Sequence, residues 1–541
     1  MAQRTQARIV ALLFCALFIA IAVPWIDKPG IQTDEALFAA GIYPPFQTEF
    51  RIRMFHHDYP IMVMTYVGAL KARIWAMIFK FWPPSPASVR IPAILLGALS
   101  VWWTYLLVSR MLGSTAALVC VALLATDPMY VLYSRWDHGP VVIQHLCLIG
   151  AMLALVRFHQ GRRTVWLAAG FFALGLGFWE KAVFIWLLGG LAIAGLILFW
   201  RQIREALSLR NMAVATAAFA LGASPLIIYN TRHKLNTFRT NTVWSTEGIA
   251  DKARLVRYVL EGNALSGSMT RDPWEGPLRE PSTAVEKTVV SIALAANLPL
   301  RSLMGYLALA SVLLLPFVWR TPARDAALFI LICGAVAWCQ MAFVKNTGGA
   351  AHHTILLWPL PAIGIAAVLA AASQRLRYGR LLLIAVVASA CAANLLVLST
   401  YYTDLLRNGG TSSWTDAMYP AFAAIHQMDK EAVCTIDWGF FDTLRLFEQG
   451  RTPLCIAADP VNDGARQEAL FQISHPRYLF LTHTEGSESF PGVTERFVRF
   501  AESSGFERTN RGVFADSNGR KTVEIFQFLP VHKRDSITKK L

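Results

Sequence analysis

Three short segments of the sequence carry side chains suited to proton transfer and to binding an anion. Asp34 and Glu35 stand together in QTDEALFAAG, Asp137 and His138 in YSRWDHGPV, and Lys181 in GFWEKAVF. A carboxylate can accept the proton of an attacking hydroxyl, and an ammonium group can stabilise negative charge on a leaving group. Each segment adjoins a long apolar run, where ionisable groups usually face a cavity or a partner. We therefore expect these side chains to take part in a reaction rather than to lie solvated on the protein surface.

A fourth segment, KNTGGAAHHT, adds Lys345 and the adjacent pair His352 and His353. Structural explanations stay open for each segment taken alone. Asp34 and Glu35 could be solvated or could lie at the amino terminus of a helix. Asp137 could pair with Arg135, and Lys181 with Glu180. The two histidines could cap a helix. The stronger indication is that all four segments are predicted to lie on one face of the molecule.

The elements that must position these groups are membrane-spanning helices. The chain has 541 residues, of which 55% are hydrophobic and only 16% are charged, and its mean hydropathy is +0.43. Such a composition excludes a soluble protein of this length. Eleven apolar runs are long enough to cross a bilayer, near residues 9–26, 90–109, 112–127, 140–158, 164–179, 182–200, 211–230, 301–319, 325–343, 353–372 and 380–401. We interpret the first run as an uncleaved helix, since no clear small-x-small cleavage site precedes Trp25.

The charge distribution predicts the orientation of these spans. The formal net charge is +15, and fourteen arginines in alternate short gaps face only two acidic residues, Glu205 and Asp325. Basic short loops stay in the cytoplasm. The amino terminus is therefore predicted to be cytoplasmic in a bacterial inner membrane, with the four polar segments on the periplasmic side. Nucleic-acid binding is disfavoured, because the charge forms no continuous patch.

Two long segments and a terminal domain are predicted outside the membrane. Residues 27–89 form a first external loop, in which we expect residues 60–82 to be a helix lying in the interface with its cations toward the headgroups. Residues 231–300 form a second loop. Residues 402–541 contain strand-length apolar runs and predict a small periplasmic α/β domain, in which Cys434 and Cys455 could pair.

The acidic pair after the first span, the large external loop and the second Asp at the start of span four together resemble the GT-C superfamily of membrane glycosyltransferases. The nearest groups are the protein O-mannosyltransferases and the lipid A aminoarabinose transferases, which are glycosyltransferase family 39-like. SVRIPAILLGALSVWWTYLLVSRMLG resembles their second span and its turn, and GFWEKAVFIW is similar to a recurring leucine-rich segment followed by lysine. The resemblance covers residues 1–401 and implies an α-helical polytopic membrane protein of about eleven spans.

The resemblance implies glycosyl transfer from a polyprenyl-phosphate-linked sugar to a lipid, glycan or protein acceptor at the extracytoplasmic face. It makes Asp34 the general base, Glu35 a group that orients the acceptor or a metal, and Asp137 a group that holds the acceptor or steers the base. His138 and Tyr59 would contact or orient the acceptor. The candidate ligands of the donor phosphate are Lys181, Lys345, Arg51, Arg53, His352 and His353.

No cofactor is predicted as required. If a divalent metal takes part, Glu35, Asp137 and His353 are its candidate ligands. The sequence does not indicate which sugar moves or which acceptor receives it.

Other functions stay open at this point. A transporter would place its charges at mid-membrane and often show two matching halves, neither of which is seen. Another polyprenyl-linked saccharide ligase or polymerase shares the lipid substrate but usually lacks an acidic pair directly after the first span. An assembly protein would not require the acids and the histidine pair.

Overall fold

The computed structural model describes residues 2–45, 48–54, 56–296, 300–345 and 347–531. Its helices in the first part of the chain are α1 (Ala2–Ala22), α2 (Thr33–Ala40), α3 (Leu70–Phe79), α4 (Pro86–Leu112), α5 (Ser114–Thr126), α6 (Pro128–Trp136), α7 (Val142–Gly161), α8 (Thr164–Glu180), α9 (Ile185–Leu198), α10 (Trp200–Ala206), α11 (Leu209–Gly222) and α12 (Ser224–Arg232).

The later helices are α13 (Asn236–Asn241), α14 (Ile249–Leu260), α15 (Ala284–Ala296), α16 (Met304–Leu314), α17 (Pro322–Ala342), α18 (Ala351–Thr354), α19 (Leu360–Ser373), α20 (Gly379–Arg407), α21 (Met418–Gln427), α22 (Phe441–Glu448), α23 (Arg466–Ser474) and α24 (Val493–Ser503). The strands are β1 (Phe50–Met54), β2 (His57–Met64), β3 (Val67–Gly68), β4 (Ala432–Thr435), β5 (Leu454–Ile456), β6 (Tyr478–His483), β7 (Phe506–Ala515) and β8 (Lys521–Pro530).

The apolar helices match the eleven predicted runs in order. Within the described residues, five helices (α1, α4, α7, α17 and α20) are long and apolar enough to cross a bilayer alone. Three bent pairs, 114–126 with 128–136, 182–198 with 200–206 and 209–222 with 224–232, qualify as broken spans, and α8, α16 and α19 are shorter apolar helices. The predicted class, a polytopic helical membrane protein with a small carboxy-terminal α/β unit, is confirmed.

The break between α5 and α6 places Asp137 at a helix end. Pro128 occupies the first position of α6, where a missing N–H costs nothing, and Asp127 caps that helix by accepting from Tyr130 N at 2.8 Å. The two helices meet at 59°. Helix α6 is short and ends at Trp136, so Asp137 lies in the loop that precedes α7.

The arginine-rich loops lie together at one end of the helix bundle. Arg110, at the end of α4, approaches Gln160 at the end of α7 at 3.5 Å, and Arg162 pairs with Glu205 of α10 at 3.3 Å. Asp137 lies at the opposite end of α7 from Arg162. A helix of 20 residues is about 30 Å long. The basic loops and the segment around Asp137 therefore occupy opposite ends of the same helices.

The prediction of an interfacial helix within residues 27–89 is wrong. Residues 60–82 do not form one interfacial helix: β2 pairs in antiparallel fashion with β1 and with β3, and only α3 is helical. Arg73 binds the carbonyl oxygen of Pro60 through Nε and Nη2 at 3.0 and 2.7 Å, which fixes α3 against the sheet. A continuous apolar run does not by itself distinguish a strand from a helix, because it shows neither the alternation of a strand nor the 3.6-residue period of a helix.

The carboxy-terminal unit, residues 408–531, carries a five-stranded sheet in the order β5-β4-β6-β8-β7. Its β4 pairs in parallel with β5 and β6, whereas β8 runs antiparallel to β6 and β7. A disulfide joins Cys434 on β4 to Cys455 opposite it on β5. Helix α20 extends to Arg407, so the unit begins later than the predicted residue 402, and residues 532–541 lie outside the described part.

This unit is docked on the loop that follows α1. Gly30 N donates to Trp414 O at 2.8 Å, and Lys28 forms an ion pair with Asp416 at 3.1 Å. One apolar core contains residues of α2, α3 and α4 together with residues of α21, α22, β6 and β8. The carboxy-terminal unit therefore shares its core with the segment that carries Asp34.

A Gly30→Ala substitution tests this docking. A Cβ at Gly30 would lie 2.0 Å from the carbonyl oxygen of Thr415, so the 414–416 loop must shift at a cost of about 1–3 kcal/mol. We expect a lower melting temperature in detergent and faster proteolytic cleavage near residue 408. Gly161→Ala is the control, because nothing lies within 4 Å of its Cβ position. Equal stability of the two variants would contradict the described interface.

Candidate active site

Glu35 is held in a buried ion pair with Arg90. Arg90 Nε and Nη2 donate to the two carboxylate oxygens of Glu35 at 2.8 and 2.9 Å, and both side chains are at most 1% exposed. The same guanidinium donates to the carbonyl oxygens of Ile26, Pro29 and Gly30. Bidentate pairs of this kind fix geometry strongly. Glu35 thus fastens α2 to α4, and both of its oxygens are already engaged.

Asp34, which precedes Glu35 in α2, is not part of the ion pair with Arg90. The side chain of Gln32 caps α2 and accepts from the backbone N–H of Asp34 at 2.6 Å. Among the described residues the Asp34 carboxylate takes part in neither of the buried ion pairs of this region, and its side chain is only partly buried. Burial raises the pKa of Asp34, and the nearby Lys181 ammonium offsets part of that rise.

Asp137 forms a buried ion pair with Lys71 instead of the Arg135 pair that the sequence left open. Lys71 Nζ lies 2.7 Å from Asp137 Oδ2, and it also donates to the carbonyl oxygen of Asp137 at 2.9 Å. Asp137 Oδ1 accepts from the backbone N–H groups of Val141 and Val142 at the start of α7. Arg135 donates to backbone carbonyls after α1, including that of Lys28 at 2.9 Å.

The predicted orientation of Lys71 is also wrong. Lys71 was expected to point toward headgroups from an interfacial helix, but it is 2% exposed and lies between two carboxylates. Its backbone N–H donates to Glu180 Oε2 at 3.1 Å, so Glu180 meets the amino-terminal turn of α3. A fully buried lysine is rare unless it is paired.

Lys181 is the central cation of the site. Its backbone is extended, bridges Val67 of β3 in antiparallel fashion and is followed by a hydrogen bond from Ala182 N to Tyr66 O at 2.8 Å. Its Nζ donates to Gly139 O at 3.0 Å. The ammonium interacts electrostatically with the carboxylates of Asp34, Asp137 and Glu180. These three acids, Lys71 and Lys181 are called the carboxylate–lysine cluster below.

Three histidines adjoin this cluster. The rings of His138 and His352 are 5.9 Å apart, and those of His352 and His353 are 4.3 Å apart. Burial, and next Lys181, lower the pKa of all three imidazoles. They are therefore neutral near pH 7, and each can donate one hydrogen bond but carries no positive charge. Within the described residues His138 Nδ1 has no hydrogen-bond partner.

The remaining predicted cations are placed elsewhere. Lys345 is half exposed and pairs with the exposed Glu247 at 3.7 Å. Arg51 and Arg53 lie on β1, where Arg51 Nε donates to Thr48 Oγ1 at 2.8 Å. Tyr59 lies on β2 beneath the guanidinium of Arg73, at 5.5 Å from its ring centre. None of the contacts just described is with a residue of the carboxylate–lysine cluster.

The candidate metal ligands are not gathered into one centre. Among the residues that the structure describes, no three carboxylate, imidazole or thiol groups lie close enough to hold a metal ion. Glu35 is bound by Arg90, Asp137 by Lys71, and His353 Nδ1 accepts from Gly348 N at 3.1 Å.

Comparisons with known proteins agree with this architecture. The family model for dolichyl-phosphate-mannose-protein mannosyltransferases matches residues 61–229. YkcB of Bacillus subtilis strain 168, which carries the name of a mannosyltransferase, is 27% identical over 165 residues. That alignment spans 29% of this chain and only 22% of YkcB.

Solved structures match over nearly the whole chain. ArnT from Cupriavidus metallidurans, bound to undecaprenyl phosphate, is 13% identical, with a TM-score of 0.53 over 95% of this chain and 97% of ArnT. The oligosaccharyltransferase AglB from Archaeoglobus fulgidus, in complex with an inhibitory peptide and a dolichol-phosphate, is 11% identical, with a TM-score of 0.50 over 96% of this chain and 75% of AglB.

The chain therefore has the GT-C fold, the fold of a superfamily of membrane glycosyltransferases. The predicted resemblance to the protein O-mannosyltransferase and aminoarabinose transferase group is confirmed by the family model and by the ArnT structure.

Sequence reasoning missed Lys71 and Arg90 as parts of the site. Both lie in segments assigned to other purposes, a supposed interfacial helix and the second span. The available signal was their position, because each is a cation within or at the start of an apolar run, at the same end of the helices as Asp34 and Asp137.

A Lys71→Met substitution tests the ion pair. It leaves Asp137 buried without its cation, which typically costs about 3–5 kcal/mol, so we expect a clear drop in the melting temperature of the detergent-solubilised protein. The double variant Lys71→Met with Asp137→Asn should recover part of the loss, because asparagine keeps an acceptor for Val141 and Val142. Lys80→Met, at the exposed end of the same helix, is the control. Strictly additive effects of the two substitutions would argue against the pair.

Proposed function

We propose that this protein transfers a glycosyl group from a polyprenyl-phosphate-linked sugar to a hydroxyl of an acceptor, at the extracytoplasmic face of a bacterial inner membrane. The observation that carries the proposal is the carboxylate–lysine cluster: four separate stretches of the chain meet at one end of the helix bundle. A GT-C fold and relatives bound to undecaprenyl phosphate or dolichol-phosphate support the lipid-linked donor.

The placement of charge supports the extracytoplasmic face. The arginine-rich loops gather at the opposite end of the bundle, around Arg110, Gln160 and Arg162. Basic short loops favour the cytoplasm. The disulfide between Cys434 and Cys455 is consistent with an oxidising compartment for the carboxy-terminal unit.

In the proposed reaction Asp34 is the general base. As the acceptor oxygen forms a bond to the anomeric carbon, the bond from that carbon to the phosphate oxygen breaks, and the hydroxyl proton passes to Asp34. The polyprenyl phosphate leaves with the bonding electron pair. Asp34 suits the role because its carboxylate lies outside the buried ion pairs and its raised pKa makes it a better base.

Lys181 supplies the positive charge that the departing phosphate requires. Its ammonium is fixed by the carbonyl oxygen of Gly139, and its backbone is fixed by β3, so little reorganisation is needed during the reaction. The neutral His138 and His352 rings beside it can donate hydrogen bonds to phosphate oxygens without opposing the lysine charge. A single donor of this kind is typically worth about 10²–10³ in rate.

Asp137 and Glu35 are positioning residues in this proposal. Asp137 holds Lys71 and caps α7, while Glu35 holds Arg90 and thereby orients α2. Both carboxylates are held in ion pairs by their partners. Of the three acids singled out in the sequence, Asp34, Glu35 and Asp137, Asp34 is the one that lies outside both pairs.

Asp34→Asn should reduce sugar transfer by at least about a hundredfold while the protein still folds, since amides cannot accept the proton. Mass spectrometry of envelope glycans and glycolipids, in cells that lack the chain and are complemented with each variant, measures the product. Asp58→Asn, on an exposed strand of the same segment, is the matched control. Transfer at the normal level by Asp34→Asn would overturn the assignment of the base.

The pH dependence of transfer offers an independent test. A base with a raised pKa loses activity as the pH falls through that pKa, so the acidic limb of kcat/KM should lie above the ordinary range for aspartate, about 4. Lys181 lowers the pKa of Asp34, so Lys181→Met should move the limb to higher pH in addition to slowing the reaction. A limb that stays in place would contradict the coupling of the two groups.

A further inference from the structure

Helix α22 of the carboxy-terminal unit lies alongside α2, the helix that carries Asp34. At their carboxy-terminal ends, Gln449 Nε2 donates to Tyr43 Oη at 3.2 Å, and the Cβ position of Gly450 lies 2.5 Å from Cγ of Pro44. Ala36, Ala39 and Ala40 share an apolar core with Phe440, Leu444 and Leu446. The two helices therefore run side by side in the same direction.

At their amino-terminal ends this arrangement brings Asp442 toward Asp34. Asp442 belongs to the first turn of α22, as Asp34 belongs to the first turn of α2, and the two carboxylates interact electrostatically. Asp442 forms an ion pair with Arg445, one turn further along α22. The pair lies beside the carboxylate proposed as the base.

Arg445 is buried with part of its hydrogen-bonding capacity unused. Its side chain is 0% exposed, its Nη2 donates to Asp442 Oδ1, and its Nε and Nη1 have no acceptor among the described residues. A buried donor without an acceptor costs about 1–3 kcal/mol. By contrast, Arg90, which fastens α2 to α4, uses all three of its guanidinium nitrogens.

The chemistry of the pair defines what it can bind. Arg445 offers hydrogen-bond donors, Asp442 offers acceptors, and the charges of the two cancel. An anionic group would be repelled by Asp442 and Asp34, whereas a neutral group with adjacent hydroxyls can accept from the guanidinium and donate to the carboxylate. Adjacent hydroxyls on a ring are the recognition feature of a sugar.

We propose that Asp442 and Arg445 form a subsite for the vicinal hydroxyls of a sugar ring, contributed to the Asp34 site by the carboxy-terminal unit. The inference rests on the proposed function and deepens it, because it assigns sugar selectivity to a unit outside the helix bundle. The ring belongs either to the glycosyl group of the donor or to a saccharide acceptor, and the chemistry of recognition is the same.

Equilibrium binding to the full-length purified protein tests the subsite. The lipid probes are undecaprenyl phosphate alone and undecaprenyl phosphate carrying mannose, glucose or aminoarabinose. The free probe is methyl α-mannoside, added to protein saturated with undecaprenyl phosphate. The variants are Asp442→Asn and Arg445→Lys. The matched controls are Asp429→Asn and Arg477→Lys, which alter an exposed ion pair of 2.9 Å on the same unit.

We expect both variants to weaken binding of a sugar-carrying probe at least fivefold, with the affinity for undecaprenyl phosphate within twofold of the parent. Loss with a glycosylated lipid assigns the subsite to the donor, and loss with methyl α-mannoside alone assigns it to the acceptor.

Unchanged sugar binding, equal loss of bare undecaprenyl phosphate, or the same loss in the control pair would overturn the subsite. If the parent protein binds no undecaprenyl phosphate at all, the proposed function itself fails. The two failures are therefore distinguishable.

Discussion

Two buried ion pairs at the ends of the membrane helices hold the 27–89 segment in place, and the arrangement around Asp34 depends on them. Lys71 with Asp137, and Arg90 with Glu35, bring four ionised side chains into surroundings where an isolated charge would cost several kcal/mol. Each pair joins the 27–89 segment to a membrane helix or to the loop between two of them, so the segment cannot detach without exposing charge to an apolar environment. Of the three acids singled out in the sequence, Asp34 is the one that lies outside both pairs, which is why the proposed reaction assigns the proton to it.

Much of this architecture follows from sequence because membrane constraints are simple. Length and hydropathy place the spans, and Asp34, Asp137 and Lys181 stand out because charged residues beside apolar runs are costly. The partners of these residues are harder to predict. Whether Asp137 meets Arg135 or Lys71 depends on the path of the chain between residues 40 and 90, and there the apolar stretch 60–82 conceals a strand, a turn and a helix. Lys345 illustrates the opposite error, since its place in a short polar loop suggested the site although it pairs with the exposed Glu247.

The carboxy-terminal unit carries no motif that identifies a role, yet the structure gives it one through contact. Its loop 414–416 covers Gly30, and α22 packs along α2, so the walls around Asp34 belong to two parts of the chain that are 400 residues apart in sequence. Local sequence patterns cannot reveal such a pairing, because no periodicity links the two helices. Under the proposed function, the helix bundle could keep its acid–base chemistry while the appended unit changed what is recognised.

The strand bridge between Val67 and Lys181 ties the small three-stranded sheet mechanically to the central cation. Tyr66 and Val67 hold the backbone on both sides of the Lys181 amide, so the sheet cannot swing outward as a hinged flap while the ammonium group stays in place. Any opening of this region that admits a bulky molecule must therefore withdraw the positive charge at the same time. If Lys181 acts as proposed, admission of a bulky molecule and placement of the positive charge would be a single mechanical event, and a half-open molecule would be inactive.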